Sequence, residues 1–396
     1  MEKRIKIYKL LLICLLAIVL INPFVALTIG IKLFHIILIL LINIFLLAFS
    51  YFRIKKKWLF FVIFSLNIIC FFCMNAEAIL RYYVQTHAIT NIYEIKNDDY
   101  YFNKPLLSVV LQDNEFETVY KTNEDGYRVG RIRRRPTTVD WLFMGDSYTQ
   151  GAQVNFEDMF TSIVADSFPS KVALNAGISG FGLPEELKYF MKEGSGFKPK
   201  KVFLELCVLN DFIDVYDKSF SLKDHLLDRS EFFRFLYYNA FFKNHDDLPL
   251  GRDVGPFYQK EQDNIDKNIL YTKSSDVKKN TLLQFAFYLK KIKQEVNKHH
   301  AELVLILVPV KEQLYRKYYD EVVSKFKTDT NFIDLDKPEK ILKAMTDSLS
   351  IKFIDPLKEF RNDTTMLYLD KDAHLNRAGH RKLAEIINHM MRIAGE

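Results

Sequence analysis

Apolar residues form three long unbroken runs at the start of the chain and only short, spaced ones later. Residues 8–29, 31–52 and 58–76 are almost wholly apolar, and each is about the length a bilayer core needs, roughly 17–25 residues. Three membrane helices are predicted. The basic N-terminus and the Arg53-Ile54-Lys55-Lys56-Lys57 cluster belong on the cytoplasmic side, with the Gly30-Ile31-Lys32 turn outside. The third run then exits outward, so the chain beyond about Glu77 is expected in the periplasm or outside the cell, anchored to a multi-pass inner membrane region. A cleaved signal peptide is disfavoured, because a second long run follows at once and no small-residue cleavage motif is present. Two helices, from a re-entrant hairpin, remain the alternative count.

From Asp140 the pattern changes to brief apolar runs alternating with helical periodicity. Strands are predicted at Leu142–Met144, Val172–Asn175, Val202–Leu206, Leu303–Val308 and Phe332–Leu335. Helices are predicted at about Glu157–Ser167, Glu185–Glu193, Thr281–His299 and Arg377–Met391. Strands that are continuously apolar are covered on both faces, and their alternation with helices implies an α/β domain built on a parallel sheet. The predicted layout is a transmembrane region at 1–80, a connector at 81–138, and an α/β domain at 139–396 carrying an insertion at about 212–280. Within the insertion, Phe232 to Phe242 is helix-like and too apolar for a plain solvated loop. It packs against the domain, forms a lid, or lies in the membrane interface.

Charge separates the same regions. Residues 1–80 hold nine of the 55 Lys and Arg but two of the 49 acids, so the net +6 resides there. The remainder is close to neutral, which argues against nucleic acid as a partner. The run Arg131-Ile132-Arg133-Arg134-Arg135 reads as a solvated face or a headgroup contact. Of the four cysteines, Cys14, Cys70 and Cys73 lie in the apolar runs and Cys207 stands alone in the polar part, so no disulfide framework can form there. Cys207 reads as a core residue; His299, His300 and His380 read as surface residues. No cluster has trustworthy metal-ligand spacing, and no metal or cofactor is expected.

Four polar stretches sit at strand ends or a helix start: Gly145-Asp146-Ser147, Asn175 to Gly180, Asn210-Asp211, and Asp370 to His380. In a parallel sheet such points converge on one edge, where ligands bind. A serine hydroxyl needs a positioned base to become a nucleophile. His374 fits in type and place, and Asp372 would orient it. The N–H groups of Ser147 and Gly180 and the Asn210 side chain would then face a tetrahedral oxyanion.

These blocks resemble those of the SGNH/GDSL hydrolase family over about residues 139–394. The resemblance implies a flavodoxin-like α/β/α sandwich, acyl-ester chemistry and no metal. It makes Ser147 the nucleophile, Gly180 and Asn210 oxyanion donors, His374 the base and Asp372 its partner. Two positions depart from the pattern: Val208 stands where glycine is usual, and Lys371 stands where the acid commonly precedes the histidine by three residues. The shorter Asp-x-His spacing resembles the branch that acetylates alginate and other exopolysaccharides, which favours Asp372 over Asp370. The implied activity is an esterase or O-acyltransferase on acyl groups of a surface or exported glycan; whether a membrane partner supplies the acyl donor stays open at this point. A lipase or lysophospholipase, and a non-catalytic scaffold that binds glycan or a partner, are the alternatives.

Overall fold

The computed structural model describes residues 92–96, 99–130, 136–241 and 269–396, with isolated residues and short pieces between 58 and 80. The expected membrane runs 8–29 and 31–52, most of 58–76, and the basic run 131–135 lie outside the described residues. Among the described residues no helix is long and apolar enough to cross a membrane.

Among the described residues there are nine strands: β1 (Tyr93–Lys96), β2 (Tyr100–Asn103), β3 (Ser108–Gln112), β4 (Glu117–Lys121), β5 (Trp141–Met144), β6 (Ala173–Asn175), β7 (Lys201–Cys207), β8 (Glu302–Val308) and β9 (Lys352–Ile354). The last five form one parallel sheet in the order β6-β5-β7-β8-β9. The fold is α/β. From β5 the chain first runs to β6 on one side and then returns to β7 on the other. The direction of winding therefore reverses beside β5, and the crevice beyond its carboxyl end is where such sheets bind ligands.

Both faces of the sheet are covered, which is why its strands lack surface alternation. On one face Leu142, Met144, Val202, Leu204, Leu206, Leu303, Leu305 and Leu307 pack with the helices Leu183–Lys192 and Asp276–Lys298. On the other, Trp141, Phe143, Phe203, Val304, Ile306 and Val308 pack with Phe160–Ser167 and Arg377–Ile393. Each such side chain removed from water contributes roughly 1.5–3 kcal/mol.

Three departures from the sequence expectation have simple causes. Phe332–Leu335 is not a strand: the Asp329 carboxylate accepts the Asn331 N–H and starts a 3-10 turn over Thr330–Phe332. The fifth strand is β9 instead, three residues long and with an exposed lysine at its start, too brief to show a period. The described part of the expected connector, 92–130, forms two antiparallel hairpins, β1–β2 and β3–β4, in the same compact unit as the α/β layers. Phe102 stacks on Tyr189 at 5.8 Å, the Tyr127 and Tyr189 hydroxyls lie 3.0 Å apart, and the Tyr100 hydroxyl donates to Glu193 at 2.6 Å.

Residues 221–243 of the insertion separate as well. The helices Leu222–Arg229 and Glu231–Phe241 belong to a second compact unit, together with residues of the first 91, and not to the α/β unit. Within that unit the Glu77 carboxylate accepts the Glu231 and Phe232 N–H groups and the Ser230 hydroxyl.

Candidate active site

β5 ends in Gly145, whose φ of +151° and surroundings exclude a side chain: a Cβ there would stand 2.5 Å from Thr149 Oγ1 and 2.7 Å from Glu205 Oε2. Asp146 then caps the short helix Ser147–Gln150, its carboxylate accepting the Tyr148 N–H at 2.9 Å. This tight strand-to-helix turn presents Ser147 at the sheet edge. Its Oγ lies 2.7 Å from Nε2 of His374.

His374 comes from a loop that is built locally. Asn376 caps the helix Arg377–Ile393 through the Gly379 N–H, while its amide donates to the Met366 and Tyr368 carbonyls. Asp372 Oδ1 accepts both the backbone N–H of His374, at 2.7 Å, and its Nδ1, at 2.5 Å. Burial alone would push the Asp372 carboxyl up. The hydrogen bonds and charge of His374, with help from Gln153, outweigh it and hold the group below its ordinary range. An ionised carboxylate only accepts, so Nδ1 carries the imidazole proton and Nε2 is left to accept from the Ser147 hydroxyl. Tyr148 braces the ring, its centroid 4.9 Å away and its hydroxyl donating to the Ala373 carbonyl. A serine aimed at an imidazole that an ionised acid orients is an activated nucleophile.

The two remaining sequence-predicted residues reach the same sheet edge by other routes. Gly180 sits in an exposed turn at φ +77°, two residues past Ile178, whose N–H donates to the Gly145 carbonyl. Asn210 follows β7, joined to the nucleophile turn through Cys207: the thiol donates to Asn210 Oδ1 at 3.0 Å and lies 3.4 Å from Asp146 Oδ2. Cys207 is thus buried as expected, but with a polar task.

No family profile matches this chain, and no curated protein does. Solved structures do. The crystal structure of TesA is 14% identical, the match covering 62% of this chain and 94% of that one, at a TM-score of 0.35. Axe2, an acetylxylan esterase from Geobacillus stearothermophilus, is 15% identical over 64% of this chain and 95% of its own, at 0.36. A GDSL-like lipase from Bacteroides thetaiotaomicron is 11% identical over 67% and 93%, at 0.33.

Several residues at the site carried no sequence signal. Gln153 lies in the loop after the Ser147 helix, its Nε2 3.0 Å from His374 Nδ1 and 3.5 Å from Asp372 Oδ2. The Arg128 guanidinium, 3% exposed, donates to the carbonyls of Gln150, Gly151 and Val154 and holds that loop in place. Burial lowers its pKa to about 10, still far above neutrality. His380 corrects the surface assignment: it is buried, stacked on Phe160, and its Nδ1 accepts the Phe160 N–H at 3.3 Å.

Beneath the serine lie four buried acids, Asp146, Glu186, Glu205 and Asp211. Burial raises each; the charge of Asp146 adds to it for Glu186, Glu205 and Asp211, and that of Asp214 for Asp146 itself. Donor atoms of Asp146, Cys207 and Asp211 approach within 4.8 Å of one another, as a metal would need. The set fits a metal poorly. Burial and the neighbouring carboxylates push the thiol well up, its proton serves Asn210, and Asp211 Oδ2 already accepts the Cys207 N–H.

Proposed function

We propose that this chain is a serine ester hydrolase. Ser147 is the nucleophile, His374 the general base, Asp372 its orienting acid, and the Ser147 and Gly180 N–H groups with the Asn210 amide stabilise the oxyanion. The observation that carries this reading is the unbroken line of contacts from Ser147 Oγ through both nitrogens of His374 to Asp372.

In the first half-reaction Ser147 Oγ bonds to the acyl carbon while its proton passes to His374 Nε2. The tetrahedral intermediate collapses, and the leaving alcohol takes that proton, which leaves an acyl-serine. In the second, water or a sugar hydroxyl gives its proton to His374 and attacks the acyl carbon. Ser147 leaves with the proton from His374. Water makes the reaction a hydrolysis; a sugar hydroxyl makes it an O-acyl transfer.

The substrate is an acyl ester, with acetyl groups on a surface or exported glycan as the class that the short Asp372-to-His374 spacing favours. The chain is anchored through residues 1–80 in the inner membrane, its α/β unit facing outward. The three apolar runs and the Arg53 to Lys57 cluster support that orientation.

The test is p-nitrophenyl acetate hydrolysis by the full-length chain, with the early burst followed in wild type and Ser147→Ala. A burst present in the first and lost in the second is expected. A folded wild type with neither burst nor turnover would overturn the reading.

A further inference from the structure

The loop that carries Asp372 and His374 is gripped from outside by a residue of opposite polarity on each of its two backbone faces. At the tip of the β3–β4 hairpin, the Glu115 carboxylate accepts three successive backbone N–H groups. They are Asp370 at 2.7 Å, Lys371 at 3.0 Å to each oxygen, and Asp372 at 2.7 Å. Across the same segment, Lys311 Nζ donates to the carbonyls of Leu369 and Asp370 at 2.9 Å and of Asp372 at 2.8 Å. Lys311 is 2% exposed and opens the short helix Lys311–Leu314, three residues past the end of β8. Glu115 arrives from a segment more than 250 positions earlier.

Three consecutive N–H groups that converge on one point form an anion-binding concavity, and hydrogen bonds to a charged group are about twice as strong as neutral ones. Here the anion is a side chain of the same protein. The Asp372 N–H is one of the three, so Glu115 fixes the backbone from which the Asp372 carboxylate reaches His374. The local bonds, Asp372 Oδ1 to the His374 N–H and the Leu369 N–H to the His374 carbonyl, lie on either side of the three N–H groups that Glu115 holds.

We infer that Glu115 is a positioning residue for the acid–base pair, acting through Asp372, with Lys311 as its counterpart on the carbonyl side. The inference rests on the serine hydrolase reading. It makes the hairpin β3–β4, which touches no reacting atom, a requirement for the base to work. When the grip is absent, the loop retains its ends at Leu369 and Asn376 but loses the orientation of Asp372 toward Nδ1.

The test compares full-length wild type, Glu115→Ala and Glu115→Gln by the rate at which a fluorophosphonate probe labels Ser147, measured across pH, and by kcat and KM for p-nitrophenyl acetate. Glu115→Ala should label about 10- to 100-fold more slowly, the loss expected when a catalytic group is misplaced by about 1 Å. The loss should fall in kcat with KM near the wild-type value. The acid limb of the pH profile should also move to lower pH, because an imidazolium loses part of its carboxylate partner. Glu115→Gln keeps one acceptor at the same place but loses the charge, and should label at a rate between those of wild type and Glu115→Ala, so the comparison survives even if the alanine variant does not fold. Equal labelling rates and superimposable pH profiles in wild type and a folded Glu115→Ala or Glu115→Gln chain would overturn the positioning role. Failure of wild type itself to label at Ser147 would overturn the hydrolase reading instead.

Discussion

Nδ2 of Asn210 donates to Oδ2 of Asp214 at 2.8 Å, four residues further along the chain. At the other end of the same amide, the Cys207 thiol donates to Oδ1. A carboxylate offers no hydrogen, so it selects the nitrogen, and the thiol selects the oxygen. The orientation of this candidate oxyanion donor is therefore set from both sides, leaving its second N–H hydrogen for substrate. Asn210→Ala should lower kcat about 100- to 1000-fold with little change in KM. Asp214→Asn, which permits the amide to turn over, should give a smaller loss of the same kind. Steady-state kinetics on folded variants decide it; wild-type kcat in Asn210→Ala would remove Asn210 from the site.

His380 gives the α/β unit an acid-sensitive step. Burial and the nearby charges of Arg128 and His374 lower its pKa from 6.5 to about 3. The folded chain thus keeps it neutral where the unfolded chain takes up a proton. Its contribution is intact above pH 6.5 and declines as pH falls toward 3, by about 3 kcal/mol at pH 4.5. Thermal unfolding from pH 7 to 4.5 should show a shallower decline in His380→Gln, which retains an acceptor for the Phe160 N–H and cannot titrate. Parallel curves for the two chains would contradict this.

Glu186 acts at the opposite end of the scale. Neither of its carboxylate oxygens has a hydrogen-bond partner among the described residues, it is 1% exposed, and burial with the charges of Asp146 and Glu185 raises its pKa well above the usual range. An acid raised in the folded state supports folding below its unfolded pKa and loses that support as pH climbs toward the folded one. Glu186→Gln should therefore match wild type near pH 4 and exceed it at pH 8, on the order of 1–3 kcal/mol. A variant no more stable than wild type at pH 8 would mean that Glu186 is paired in solution.

What could be read from the chain alone was whatever repeats or concentrates locally. β5, β7 and β8 are visible because a strand buried on both faces is a continuous apolar run, and the long helices because their apolar positions recur. Ser147 and His374 could be named because a parallel sheet gathers strand ends on one edge, so residue type and place together suggest a meeting point. β9 was invisible for the converse reason: three residues carry no period.

Tertiary structure alone decided the rest. That His380 is buried depends on Phe160, 220 positions away, and the Glu115 grip on the Asp372 backbone spans 257. Such bonds join one side chain to backbone groups that every residue possesses, so the target leaves no mark in the sequence. Gln153, Arg128 and Lys311 are likewise ordinary polar residues until the fold brings carbonyls or a carboxylate to them. The sequence by itself picked out the residues of the candidate site and the layers that hold them. The surroundings that aim Asp372 at His374 came only with the closing of the hairpins onto the sheet edge, because orientation at a site is a property of long-range contacts.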